Sequence, residues 1–140
     1  GHNERVVGFI NNIQKRHPEY NIITTFETKD DEELAYDTMK QVLAAHPETS
    51  GVYITSGGQR GVCKAIEEAG RYDITVVTSD GTKTVQEYVR KGIIRATVMQ
   101  EPEKQGYEAI HAGVYYLVYG ELPDSKPALI RNEIYIEENL

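Results

Sequence analysis

Apolar and polar positions along this chain switch period repeatedly, from a helical repeat to a strand-like one and back. Val6, Phe9, Ile10 and Ile13 recur at helical spacing behind Asn3, which can cap a helix, and His17-Pro18 closes the pattern. Asn21-Ile-Ile-Thr-Thr-Phe26 is β-branched and predicts a strand. Asp30 or Asp31 caps a second helix with the apolar face Leu34, Ala35, Met39, Val42 and Leu43, stopped by His46-Pro47. Gly51-Val-Tyr-Ile-Thr55 reads as a short buried strand. Gly57-Gly58 turns the chain into a helix carrying Val62, Ala65, Ile66 and Ala69, closed by Gly70.

The alternation continues to the end. Ile74 to Thr78 predicts a strand, Thr84 to Lys91 a short helix closed by Gly92, and Ile93 to Met99 another strand. Pro102 suits the first turn of a long helix with the stripe Tyr107, Ile110, His111, Val114 and Val118, ended by Gly120. Pro123 to Pro127 reads as a loop and Ala128 to Ile136 as a final strand. Helix and strand alternating at this spacing predict an α/β domain of three layers, αβα, with a mostly parallel doubly wound sheet. No repeat, low-complexity tract or interdomain linker interrupts residues 1–140.

Bulk properties narrow the function. The 140 residues make one domain by length, with 39% hydrophobic and 26% charged residues. A net charge of −7 disfavours gripping nucleic acid directly, which takes a basic surface. A lone cysteine, Cys63, rules out an internal disulfide, and its helical apolar setting reads as a small buried thiol. No run of about 18 apolar residues is present to cross a membrane as a helix.

Chemistry gathers at strand ends. Val76-Val-Thr-Ser-Asp80 is followed by Gly81, and Ala96-Thr-Val-Met-Gln100 by Glu101-Pro102. Parallel strands carry ligand groups at their carboxyl ends, where loops open into a crevice. A carboxylate accepts hydrogen bonds, and a carboxamide both accepts and donates. The pair Asp80 and Gln100 suits a neutral polyhydroxylated ligand better than bond-breaking chemistry. The turn Ser56-Gly-Gly-Gln-Arg-Gly61 lacks both glycine-rich nucleotide-binding patterns, and no nucleophile, base and orienting group stand together. None of the four histidines has a partner at metal spacing, so no metal or cofactor is expected.

The order of these motifs, together with Arg5-Val-Val-Gly-Phe9 and Leu43-Ala-Ala-His-Pro47 before Gly51-Val-Tyr53, resembles the carboxyl-terminal lobe of the type I periplasmic-binding-protein fold. That group includes sugar-binding proteins of transport systems and the effector cores of lac repressor-like regulators. The resemblance covers nearly the whole chain. It implies one lobe of a two-lobed protein that closes on a sugar, with the first strand and the amino-terminal lobe missing. Helix 102–119 would then pack on that other lobe.

The resemblance also implies a site. Arg5 would reach sugar hydroxyls from the start of its helix, Asp80 would accept from adjacent hydroxyls, and Gln100 would contact the ligand from the hinge side. Thr55 and Ser56 stand where many relatives have Asn-Asp, and Ser56 serves equally well as a helix cap. The loop after Phe26 lacks the aromatic residue that often stacks on the sugar there. Phe26 itself is one candidate, and Asp30 another lining residue.

The sequence favours a cytoplasmic effector-binding domain of a lac repressor-like regulator over a sugar-transporter binding protein. Its partners would be a sugar or sugar-like effector and a second copy held through helices Gly58 to Ala69 and Lys83 to Lys91. DNA would be reached only through a separate headpiece.

Overall fold

A computed structural model of the chain describes residues 2–123 and 132–140. Five α-helices and four strands are described, followed by a 3-10 turn at Glu137–Asn139: α1 (His2–Arg16), α2 (Glu32–Ala45), β1 (Gly51–Ile54), α3 (Gln59–Glu68), β2 (Thr75–Ser79), α4 (Lys83–Arg90), β3 (Ile94–Gln100), α5 (Pro102–Tyr119) and β4 (Asn132–Tyr135). The strands form one sheet in the order β1-β2-β3-β4. β1 pairs with β2 and β2 with β3 in parallel, while β3 and β4 run antiparallel. This is the mostly parallel α/β sheet that the alternating pattern predicts.

Local chemistry fixes most boundaries. The Asp31 carboxylate accepts the Leu34 backbone N–H at 2.9 Å and caps α2. This satisfies one of the N–H groups that a helix start leaves without an internal partner. Thr82 caps α4 in the same way through Val85, at 3.2 Å. α3 starts differently. Its cap position is Gly58, at φ 89°, with no side-chain cap bond, so Ser56 does not cap this helix. α1 begins at His2, which places Asn3 inside the helix rather than at its cap. The loop predicted at 123–127 falls largely outside the described residues. So does the first half of the predicted final strand, of which β4 is the described part.

The core lies on one side of the sheet. Ile54, Val76 and Ile94 from the strands meet Ala35 and Met39 of α2, Val62, Cys63 and Ile66 of α3, and Val85, Tyr88 and Val89 of α4. Burying the valine, isoleucine and methionine side chains among these stabilises the fold by roughly 1.5–3 kcal/mol each. Thr78 and Thr97 are also fully buried, and each hydroxyl donates to a backbone carbonyl, of Ile54 and Asp80 respectively. Tyr53 alternates to the other side of β1, where its ring meets Phe9 of α1 with centroids 4.7 Å apart. Helices therefore flank both faces, but the second layer is thin: neither α1 nor α5 buries any residue.

One predicted element is corrected. Asn21 to Phe26 is not a strand in this structure. β1 is the outermost strand of the sheet, and no described strand lies on its free side. β-propensity reflects packing on a pleated surface and pairing with a neighbour. Without a partner the segment stays irregular, and Ile23 and Phe26 remain exposed.

Candidate ligand-binding site

β1, β2 and β3 are parallel, so their carboxyl ends share one edge of the sheet. Thr55 follows β1, Asp80 follows β2, and Gln100 closes β3. Asp80 and Gln100 thus stand on neighbouring strands at the same end. The first turn of α1 reaches that end as well: Arg5 Nη1 donates to the Thr55 carbonyl oxygen at 2.7 Å. A bond across 50 residues of sequence holds the guanidinium at the rim, leaving its other donors available.

The backbone at Asp80 is held firmly. Its N–H donates to Val98 O at 2.9 Å, and its carbonyl accepts from the Thr97 hydroxyl. Its φ of 72° is left-handed, a conformation that Asp tolerates better than most residues. Met99 fills the space beside Gly81, with Cε 2.2 Å from where a β-carbon would sit, so a side chain at 81 would displace it. Among the described residues no hydrogen bond or ion pair engages the Asp80 carboxylate or the Gln100 carboxamide. Both are half-buried on the open rim.

The remaining predicted residues are placed as follows. Thr55 and Ser56 are half-buried in the turn after β1. Asp30 sits beside that turn, and its Oδ1 accepts the Gly57 N–H at 2.7 Å. Phe26 is 54% exposed, so it does not enter the core.

Two residues were missed by the sequence reading. His2 Nδ1 lies 3.1 Å from Thr55 O, and since a carbonyl only accepts, this nitrogen carries the proton. Gln59 is buried and its Nε2 donates to Ser79 O at 3.5 Å, tying α3 to the end of β2. A helical stripe of apolar residues gives no hint of either bond, because both partners are main-chain carbonyls far along the chain.

Burial, followed by the nearby Glu32 and Glu67 carboxylates, pushes the Cys63 thiol up to about 12, so it stays neutral. His17 and His46 each bond a glutamate two residues on, and His111 lies between Tyr107 and Tyr115. Among the described residues no three His, Cys, Asp or Glu side chains gather to hold a metal ion. No described helix is long and apolar enough to cross a membrane. A shallow concavity lined by Val89, Ile94, Arg95 and Ile136 lies at the other end of β3, away from the rim.

Comparison with known proteins decides the family. Residues 1–121 match the family model described as a periplasmic binding protein domain. The chain belongs to the periplasmic-binding-protein family. Among curated relatives, it is 29% identical over 106 residues to the D-apiose import binding protein of Paraburkholderia graminis, covering 75% of this chain and 34% of that one. It is 27% identical over 92 residues to the ribose import binding protein of Escherichia coli, covering 65% of this chain and 31% of that one.

Solved carbohydrate-binding proteins superpose over nearly the full chain. A carbohydrate transporter solute-binding protein from Agrobacterium radiobacter, in complex with D-arabinose, gives a TM-score of 0.87 at 20% identity, over 98% of this chain and 46% of that one. A glucose-galactose binding protein from Geobacillus stearothermophilus gives 0.84 at 25% identity, over 97% and 48%. The chain therefore spans about a third of the curated relatives' length and about half of the solved ones'. These relatives are sugar-binding proteins of transporters, not regulators.

Proposed function

We propose that this chain is one lobe of a sugar-binding protein that serves an importer, and that its strand-end rim forms one wall of the sugar site. The observation that carries this is the gathering of three parallel strand ends with Arg5, which is fixed against Thr55 O at 2.7 Å. Arg5 and the Gln100 amide donate, Asp80 and the Gln100 carbonyl accept, and the Thr55 and Ser56 hydroxyls do both. A ring of neutral hydroxyls complements such a set without any bond being broken, so the sugar is bound and released unchanged. The curated relatives are named for D-apiose and ribose, and the solved ones for D-arabinose and glucose-galactose, which makes neutral pentoses and hexoses the ligand class.

This reading replaces the regulator expected from sequence. The cytoplasmic setting, the DNA-binding headpiece and the homodimer were expected as parts of that regulator, and this reading does not call on them. The homodimer was expected on α3 and α4, whose outward residues include Arg60, Lys64, Glu68, Lys83, Glu87 and Arg90, a charged surface suited to solvent. α5 has the opposite character, with Ile110 70%, Leu117 84% and Val118 65% exposed. In this reading its apolar side packs against a second lobe, in keeping with solved relatives about twice as long.

Titration calorimetry of the two-lobed protein against neutral pentoses and hexoses tests the site. Charge-assisted hydrogen bonds contribute about 1.5–3 kcal/mol, so Arg5→Ala and Asp80→Ala should each weaken binding roughly 10-fold to 100-fold. Both variants should keep a cooperative thermal transition with the midpoint lowered by about 4–8 °C, because Arg5→Ala gives up the bond to Thr55 O and alanine at 80 must take up a left-handed φ of 72°. Unchanged affinity in both variants would remove this rim from the site.

A further inference from the structure

We propose that Asp30 is a positioning residue of the sugar wall, setting the place of the Thr55–Ser56 rim through the Gly57 amide rather than touching the sugar. The inference rests on the sugar-binding reading above and adds a residue that acts behind the contact surface.

Three observations converge on it. First, Lys29 and Asp30 are consecutive non-glycine residues in the left-handed region, at φ 52° and 59°. Such strain persists only where surrounding bonds over-determine it, and it concentrates at functional sites. Second, the loop bearing this strain and the first residue of α2 behind it each grip the entry to α3. Asp30 Oδ1 accepts from Gly57 N and Glu32 Oε2 accepts from Gly61 N, both at 2.7 Å. Third, the contact is too close for any side chain on the turn. A β-carbon on Gly57 would lie 2.8 Å from Asp30 Cβ and Oδ1, and one on Gly61 would lie 2.1 Å from Glu32 O.

The consequence runs along the chain. α3 has no side-chain cap of its own, and the carboxylates of Asp30 and of Glu32 at the start of α2 hold its entry turn instead. Gly57 follows directly on Thr55 and Ser56, and Thr55 O is the acceptor that fixes Arg5. Releasing Gly57 therefore loosens both rim hydroxyls and the carbonyl that anchors the guanidinium. Oδ1 of Asp30 is engaged by this bond, and Oδ2 makes no hydrogen bond among the described residues.

The decisive variants are Asp30→Gly, which removes the acceptor while accepting the left-handed backbone, and Asp30→Asn, which keeps a carbonyl oxygen and tolerates that backbone. Two readouts are taken on the two-lobed protein: Gly57 amide exchange by NMR without ligand, and affinity for D-ribose, D-arabinose and D-galactose. Asp30→Gly should accelerate Gly57 exchange about 10-fold and weaken binding by a similar factor. Asp30→Asn should change both by less than about 3-fold, because a neutral acceptor retains roughly half the strength of a charged one.

Weakened binding in Asp30→Asn with Gly57 still protected would overturn the proposal and make the carboxylate a direct sugar contact. Unchanged Gly57 exchange in Asp30→Gly would overturn it as well. If the unmutated protein binds none of the three sugars, the sugar-binding reading fails and the positioning role with it, while a changed Gly57 exchange would still verify the clasp itself.

Discussion

The segment from α2 to β3 and the two helices outside it, α1 and α5, are built from similarly apolar stripes yet end in opposite conditions. α2, α3 and α4 bury their stripes against the sheet, and Cys63, Val76, Val85, Ile66 and Ile94 lose essentially all contact with solvent. α5 is the longest described helix and buries nothing, with Tyr107 67%, Ile110 70% and Leu117 84% exposed. α1 is half-buried at best and touches the rest of the fold through Arg5, His2 and Phe9. An amphipathic stripe thus announces a helix and its sticky side but not what that side meets. The first region holds the packed core; the second leaves its apolar side chains exposed.

The largest effect that tests this division comes from the first region. Ile66 is 1% exposed at the centre of the core cluster. Ile66→Ala removes three buried heavy atoms and leaves a cavity, which should cost about 2–5 kcal/mol of unfolding free energy. Urea denaturation followed by circular dichroism measures it. A loss below about 1 kcal/mol would mean that the segment from α2 to β3 is not the stable unit.

Legibility in the sequence follows the same division. The parallel strands, the Asp31 cap and the placing of Asp80 and Gln100 at one sheet edge come from local patterns: a period, a capping residue, a polar residue after an apolar run. Asn21–Phe26 failed because a strand needs a partner, and no property of those six residues reports whether one lies alongside. His2, Gln59 and the Asp30–Gly57 clasp were hidden for a related reason. Each joins a side chain to a backbone group at least 20 residues away, and side-chain periodicity carries no record of a backbone acceptor or donor.

A second effect, smaller per step, uses Cys63 as an internal reporter of the packed region. Its thiol is held well above the ordinary 9.0, up to about 12, chiefly by burial and then by Glu32 and Glu67. The group is neutral when protonated, so the folded state keeps a proton that the unfolded chain gives up above pH 9. Stability is therefore unaffected below that pH and falls as pH rises from about 9 towards 12, at up to ~1.4 kcal/mol per pH unit. Chemical denaturation of the native chain and Cys63→Ala between pH 8 and pH 11 isolates the contribution. Parallel stability curves for the two proteins would show that Cys63 does not titrate with unfolding.

The smallest effect is the one that separates the two regions most sharply. Ile110 on α5 is 70% exposed, so Ile110→Ala in the 140-residue chain removes almost no buried surface. Ala also has a higher helix propensity than Ile, which offsets what little packing is lost. The expected change is within about 0.5 kcal/mol, against several for Ile66→Ala, though both substitutions remove the same atoms. In the two-lobed protein the proposed packing of α5 covers this side chain, and the same substitution should then cost 2 kcal/mol or more, roughly the value for a buried isoleucine. Urea denaturation of both forms, with and without the substitution, gives the comparison directly. An equally small change in both would show that α5 faces solvent even beside a second lobe, and that its apolar side awaits some other surface.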